Sequence, residues 1–131
     1  MNFFSSNVSV EPCNYKSKTT FEGRKKEATN VLNKYPEKIP VICEVHPSCK
    51  KLIELSSTKY IVPRDLTIGQ FLITLRKKIK LNSAQNIFLF NEAGTLFTTT
   101  QLLSTVYQEN KDPDGFLYIT VSIQEAFGAL F

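Results

Sequence analysis

A chain of 131 residues, 42% hydrophobic and 21% charged, is large enough to bury its own core as one domain without metals or disulfides. No run approaches the roughly 18 apolar residues of a membrane span, and the start MNFFSSNVSVEP lacks the basic and apolar regions of a signal peptide, which points to the cytosol. The net charge of +4 hides an asymmetry: residues 1–80 hold 15 Lys and Arg against 7 Asp and Glu, and residues 81–131 hold 1 against 5, so an acidic partner suits the first part.

Residues 1–19 are polar and read as a mobile arm with room for a short helix. FEGRKKEATNVLNK (21–34) reads as a helix, with Phe21, Ala28, Val31 and Leu32 on one face and Arg24, Lys25 and Lys26 elsewhere. Gly23 weakens its first turn by about 1 kcal/mol relative to Ala, and Pro36 ends it. KIPVICEVH (38–46) alternates as a strand with one buried face, Val41, Cys43 and Val45 opposing Ile42 and Glu44. Residues 47–57 are a polar connection. KYIV (59–62), closed by Pro63, suits an edge strand, because proline cannot donate to an inner ladder.

The strongest helical pattern is TIGQFLITLRKKI (67–79). Thr67 and Gln70 form a capping-box pair, Ile68, Leu72, Leu75 and Ile79 face inward, and Phe71 sits at the margin of that stripe. Arg76, Lys77, Lys78 and Lys80 gather at its end, where the helix dipole favours positive charge. NIFLF (86–90) is a strand, Asn91–Gly94 a turn and Thr95–Phe97 a brief return. Residues 99–108 read as a short helix, capped by Thr98 and Gln101, with Leu102, Leu103 and Val106 inward. Asp112-Pro113-Asp114-Gly115 is a turn, and FLYITVSI (116–123) is the last strand. Two strands, a long helix and a final strand able to return to the sheet centre describe an α+β roll of the β-grasp plan, with an extra helix at the N-terminus.

Little in this pattern does chemistry. Cys13, Cys43 and Cys49 are odd in number and lack metal spacing, so reduced thiols are expected. His46 and Cys49 lie in a polar loop with no orienting group, and no paired carboxylates or phosphate-binding glycines occur, so no catalytic site, metal site or cofactor is assigned. Arg76-Lys77-Lys78 beside Phe71 lacks the accompanying module of a nucleic-acid reader, so nucleic acid is not an expected partner.

Several strings together are more specific. FEGRKKEATNVLNKYPEKIPVICEV, KYIVPRDLTIGQFLITLRKKIKL, VYQEN followed by GFLYITVS, and the near-terminal Phe127-Gly128 resemble the autophagy ubiquitin-like modifiers, the family of GABARAP and the microtubule-associated light-chain proteins. The resemblance covers about residues 21–128 and is closer to the GABARAP branch. It implies a ubiquitin-like β-grasp over residues 21–123, a flexible arm over 1–20 and a flexible tail over 124–131. It implies no enzyme activity. A cysteine protease would remove Ala129-Leu130-Phe131, and activating and conjugating enzymes would join Gly128 to phosphatidylethanolamine. A glycine, with no Cβ, threads a narrow catalytic channel and leaves its carboxyl unhindered. The protein would then act on autophagosome and other cytoplasmic vesicle membranes, and two acyl chains suffice for stable anchoring.

The resemblance also implies capture of aromatic-x-x-aliphatic peptides, with acidic flanks, as an added strand at Lys59–Val62. The aromatic pocket would involve Glu27, Val31, Pro40, Ile42, Lys59, Ile61 and Phe116. The aliphatic pocket would involve Tyr60, Val62, Pro63, Leu66, Phe71 and Leu75, and Lys38 and Lys78 would meet the flanking acids. The chain departs from the family at Thr74, usually apolar, at Ser57, usually basic, at Gly23, and in an arm about ten residues longer. Two other readings compete: an unconjugated ubiquitin-like peptide-binding adaptor in vesicle trafficking, and a nucleic-acid-binding domain using the basic helix end.

Overall fold

The computed structural model describes residues 14–125 except 51, 56, 80, 82 and 83. Cys13 and Gly128 lie outside the described residues. In chain order the elements are α1 (Asn14–Lys18), α2 (Phe21–Lys34), β1 (Lys38–Val45), a 3-10 turn (Pro47–Cys49), β2 (Lys59–Pro63), α3 (Ile68–Lys78), β3 (Gln85–Phe90), α4 (Leu103–Asn110) and β4 (Leu117–Glu125). The strands form one sheet in the order β2-β1-β4-β3. The last strand in sequence is therefore central. β4 runs parallel to β1, with Val41 opposite Leu117, and antiparallel to β3. This is the expected α+β, ubiquitin-like arrangement.

The sheet is covered on both faces where β1 and β4 meet. Ile39, Val41 and Cys43 of β1 and Leu117, Ile119, Val121 and Ile123 of β4 join Ile68, Phe71 and Leu75 of α3 and Leu103 and Val106 of α4 in the main core. The opposite face holds a smaller cluster of Ala28, Ile42, Phe116 and Tyr118, with Tyr15 packed on it. The expectation of a single buried face on β1 is thus corrected: α1 and α2 cover the second. Alternation along a strand sends neighbours to opposite sides, and here both sides meet apolar partners.

Local signals explain most boundaries. Thr20, unremarked in the sequence, caps α2 by accepting the Gly23 N–H at 3.0 Å. The Thr67–Gln70 capping box is present in both directions, at 3.1 and 2.9 Å. Thr98 and Gln101 do bond, at 2.8 Å, but they form a turn ahead of the helix. α4 starts only at Leu103, after Leu102, which is 44% exposed rather than inward. The Gln101 carbonyl is instead taken by Ile68 N–H at 2.8 Å, and Leu103 N–H donates to the Leu66 carbonyl, so this segment is tied to the start of α3. Phe71, expected at a margin, is buried, because α3 is overlaid by β2 on that side through Tyr60. The connection after β1 is less polar in practice than in composition, burying Cys49 and Ile53.

Two helix assignments of side chains also change. Phe21 is exposed at 43%, whereas Arg24, placed outward by its charge, is buried. Arg24 Nε donates to Asp114 Oδ2 at 2.9 Å and its Nη1 to the Thr19 carbonyl at 2.9 Å. Asp114 also accepts the Tyr118 hydroxyl and the Phe116 N–H, the latter at 2.8 Å. Gly115 has φ of 95°, and a Cβ there would lie 3.0 Å from Ala28 Cβ. The turn is held this close to α2 only because the residue is glycine.

Candidate peptide-binding edge

β2 lies at one edge of the sheet, with β1 as its only neighbour among the described residues. Cys43 N–H donates to the Thr58 carbonyl at 2.8 Å. Continuing the antiparallel register, in which Val41 opposes Tyr60 and Ile39 opposes Val62, residues 58, 60 and 62 bond to β1. Lys59 and Ile61 then direct their backbone groups outward. Pro40 and Pro63 both fall at non-bonded ladder positions, opposite Ile61 and Lys38. That is how a strand and its edge partner each accommodate a proline.

The strand separates two groups of side chains. Lys59 and Ile61 point to the α2 side, where Glu27, Val31, Pro40, Ile42 and Phe116 also lie. Ile42 and Phe116 form a buried floor at 0% and 2% exposure. Glu27 is ion-paired to Lys59 Nζ at 2.5 Å. Tyr60 and Val62 point to the α3 side with Leu66, Phe71 and Leu75, and the Tyr60 and Phe71 rings meet edge to face at 5.9 Å. Pro63 differs from the other residues assigned to the aliphatic group. It closes β2 opposite Lys38 and borders a surface hollow with Pro36, Glu37, Lys38, Arg64 and Asp65. Lys38 Nζ lies 5.8 Å from the Tyr35 ring and Lys78 Nζ 5.7 Å from the Tyr60 ring, one at each end of the edge. Thr74 is exposed and bonds back to the Gln70 carbonyl at 3.3 Å, and Ser57 is exposed.

The Tyr60 hydroxyl is buried without a hydrogen-bond partner among the described residues. An unsatisfied buried hydroxyl opposes folding. Tyr60→Phe is therefore expected to keep the unfolding free energy or raise it by up to about 1 kcal/mol, read from urea denaturation. A clear loss would mean that this oxygen has a partner in solution.

Sequence reasoning missed α1 as part of this region. Residues 14–18, assigned to the arm, form a helix laid against the sheet. Tyr15 N–H donates to Glu44 Oε2 at 2.8 Å, its hydroxyl to Glu27 Oε1 at 2.7 Å, and its ring meets Phe116 edge to face at 5.7 Å. Burial and the bond to Glu27 push the Tyr15 hydroxyl up. Lys16 binds Asp112 at 2.6 Å and Glu92 at 2.9 Å, with Nζ over the Tyr118 ring. A lone tyrosine in a polar arm carries no periodic signal, so only its partners across the sheet disclose it.

These contacts set a pH dependence. Burial opposes ionisation of Glu27 and Asp112, but hydrogen bonds from Lys59 and Tyr15, and from Lys16, outweigh it and hold both below their ordinary values of 4.5 and 3.8. A carboxyl depressed in the folded state contributes stability fully above its ordinary value and loses it as pH falls through the folded value. Unfolding midpoints are thus expected to be flat from pH 7 to 5 and to decline below pH 4, with a shallower decline in Asp112→Asn. An identical decline in that variant would remove the Lys16–Asp112 contact from the explanation.

No catalytic arrangement emerges. His46 Nδ1 accepts the Ser48 N–H at 3.1 Å, while the buried Cys49 thiol lies 3.5 Å from Ser122 Oγ. Among the described residues no group of His, Cys, Asp and Glu could hold a metal, and no helix is long and apolar enough to cross a membrane.

The family described as "Autophagy protein Atg8 ubiquitin like" matches residues 23–128. The chain belongs to the Atg8 family. Autophagy-related protein 8 of Schizosaccharomyces pombe is 44% identical over 117 residues, covering 89% of this chain and 95% of that protein. Autophagy-related protein 8e of Arabidopsis thaliana is 45% identical over 115 residues, covering 88% and 93%. The crystal structure of Trypanosoma brucei ATG8 aligns with a TM-score of 0.80 at 35% identity, covering 90% of this chain and all of that one. As an Atg8 protein the chain is a ubiquitin-like autophagy modifier and not an enzyme, and it needs no cofactor.

Proposed function

We propose that this Atg8 protein is trimmed of Ala129-Leu130-Phe131, conjugated through Gly128 to phosphatidylethanolamine, and used as a membrane adaptor that captures aromatic-x-x-aliphatic peptides at β2. One observation carries the capture reading. β2 presents the outward backbone groups of Lys59 and Ile61 between two groups of apolar side chains, one on each face. An added strand alternates its side chains between those faces, so residues three apart reach opposite sides of the edge. The tail reading draws on the family match, which runs to residue 128.

The partners are then a processing cysteine protease, the activating and conjugating enzymes of ubiquitin-like lipidation, and autophagy receptors with acidic-flanked motifs that Lys38 and Lys78 attract. The quoted strings favour the GABARAP-like branch. The protein moves from the cytoplasm to autophagosomes and other vesicles, where many anchored copies convert modest single-site affinity into avidity. Intact mass of the protein from membrane and soluble fractions tests this. The expected membrane species ends at Gly128 and carries one phospholipid, and Gly128→Ala is expected to abolish it. Unprocessed Ala129-Leu130-Phe131 in both fractions, or a lipid on the Gly128→Ala variant, would overturn the assignment.

A further inference from the structure

The basic residues at the end of α3 are not used by the peptide edge, apart from Lys78. The fold places them beside the exit of the tail. Arg76 Nη1 donates to the Gln85 carbonyl at 3.4 Å, and Gln85 pairs with Glu125, the last residue of β4. From the loop after β1, the Cys49 thiol lies 3.5 Å from Ser122 Oγ of β4, which places the neighbouring Lys50 at the same end. Two separate elements thus bring cations to within the final four residues of β4, a span of about 10 Å. Lys50, Arg76 and Lys77 are all exposed there, with Glu54 the described acid on the same loop. The opposite end of β4 begins at a turn that carries Asp112 and Asp114, and Glu92 is bridged to the same place through Lys16. The helix dipole accounts for cations in the last turn of α3. It does not account for Lys50, on a different element.

We propose that this basic end is a docking surface for anionic lipid headgroups, which orients the domain once its tail is anchored. The inference rests on the lipid-anchored reading above. Gly128 is only three residues beyond Glu125, about 10 Å of chain at full extension, so an anchor there brings this end of β4 to the membrane. A cation close to an anionic surface strengthens binding about fivefold, and the attraction fades within a Debye length. Three cations beside the anchor are within that reach.

The test tethers the full chain without conjugation, so that its outcome does not depend on Gly128 chemistry. A C-terminal hexahistidine tag binds vesicles containing a trace of nickel-chelating lipid, in phosphatidylcholine with or without phosphatidylserine. The apparent affinity is measured by flotation. Phosphatidylserine is expected to raise it at least about tenfold at low salt, with the gain fading as salt rises. Lys50→Gln/Arg76→Gln/Lys77→Gln is expected to lose most of the gain. Lys25→Gln/Lys26→Gln/Lys111→Gln, which removes equal charge from exposed sites elsewhere, is expected to keep it. Circular dichroism melts establish that both variants are folded. The proposal is overturned if phosphatidylserine gives no gain, if the first variant retains it, or if both variants lose it equally. A first variant that keeps its lipid gain but loses binding to RNA would assign this end to nucleic acid instead, and equally overturns it.

Discussion

Replacing Asp114 by Ala is expected to lower the unfolding free energy by about 3–5 kcal/mol. Asp114 is fully buried, and its carboxylate serves Arg24, Tyr118 and the Phe116 N–H together. Removing it leaves a buried guanidinium without its counter-ion and takes an acceptor from two donors. Stranding a buried charge costs far more than an intact pair gains. Domains are stable by only about 5–15 kcal/mol in total, so the midpoint temperature should fall by roughly 10–20 °C. The double variant Arg24→Met/Asp114→Ala separates causes. It removes the stranded charge as well, and should recover part of the loss. A single-variant loss below about 1 kcal/mol would mean that the pair behaves as a solvated surface bridge.

Ile61→Pro is expected to weaken capture of an acidic-flanked aromatic-x-x-aliphatic peptide by roughly ten- to thirtyfold while the fold survives. The backbone N–H of Ile61 faces away from β1, so proline removes a donor that the incoming strand needs and none that the sheet uses. One net hydrogen bond is about 1 kcal/mol, and the loss of a half-exposed side chain beside the peptide adds a similar amount. Pro40 and Pro63 already occupy non-bonded positions of this ladder, which is why the change is tolerable. Ile61→Ala keeps the N–H and should weaken binding only a few-fold by isothermal titration. Equal losses in the two variants would show that the side chain, not strand addition, carries recognition.

The elements that were legible in the sequence are those whose signal is periodic or local. The α2 span, the capping box at Thr67, the edge character of the strand closed by Pro63 and the two turns all follow from spacing and backbone chemistry. What was not legible depends on partners distant in sequence. Arg24 looks like a solvated charge on a basic helix face until Asp114, ninety residues on, is placed beside it. Tyr15 is one aromatic in a polar arm until Phe116 and Glu27 surround it. The pattern Thr98-x-x-Gln101 is the same whether it starts a helix or a turn, and the ties from Gln101 and Leu103 to α3 decide for the turn. For the peptide edge, alternation and Pro63 point to an exposed strand. The grouping of Glu27, Ile42 and Phe116 around it was accessible only by resemblance, because those residues come from three elements.

The central position of β4 has a consequence for how the chain reaches its folded state. Val41 finds Leu117 across more than half the chain, so the hairpin of β1 and β2 and the helix that follows can assemble while the sheet is still split. Until β4 inserts, the inner edge of β1 and the facing edge of β3 both remain unpaired, and open edges are templates for aggregation. Such long-range closure is slow relative to local structure. Lesions in the turn at Asp112–Gly115, which launches β4, should therefore appear first as poor yield from refolding or expression, before they register as a lowered melting point in the molecules that succeed.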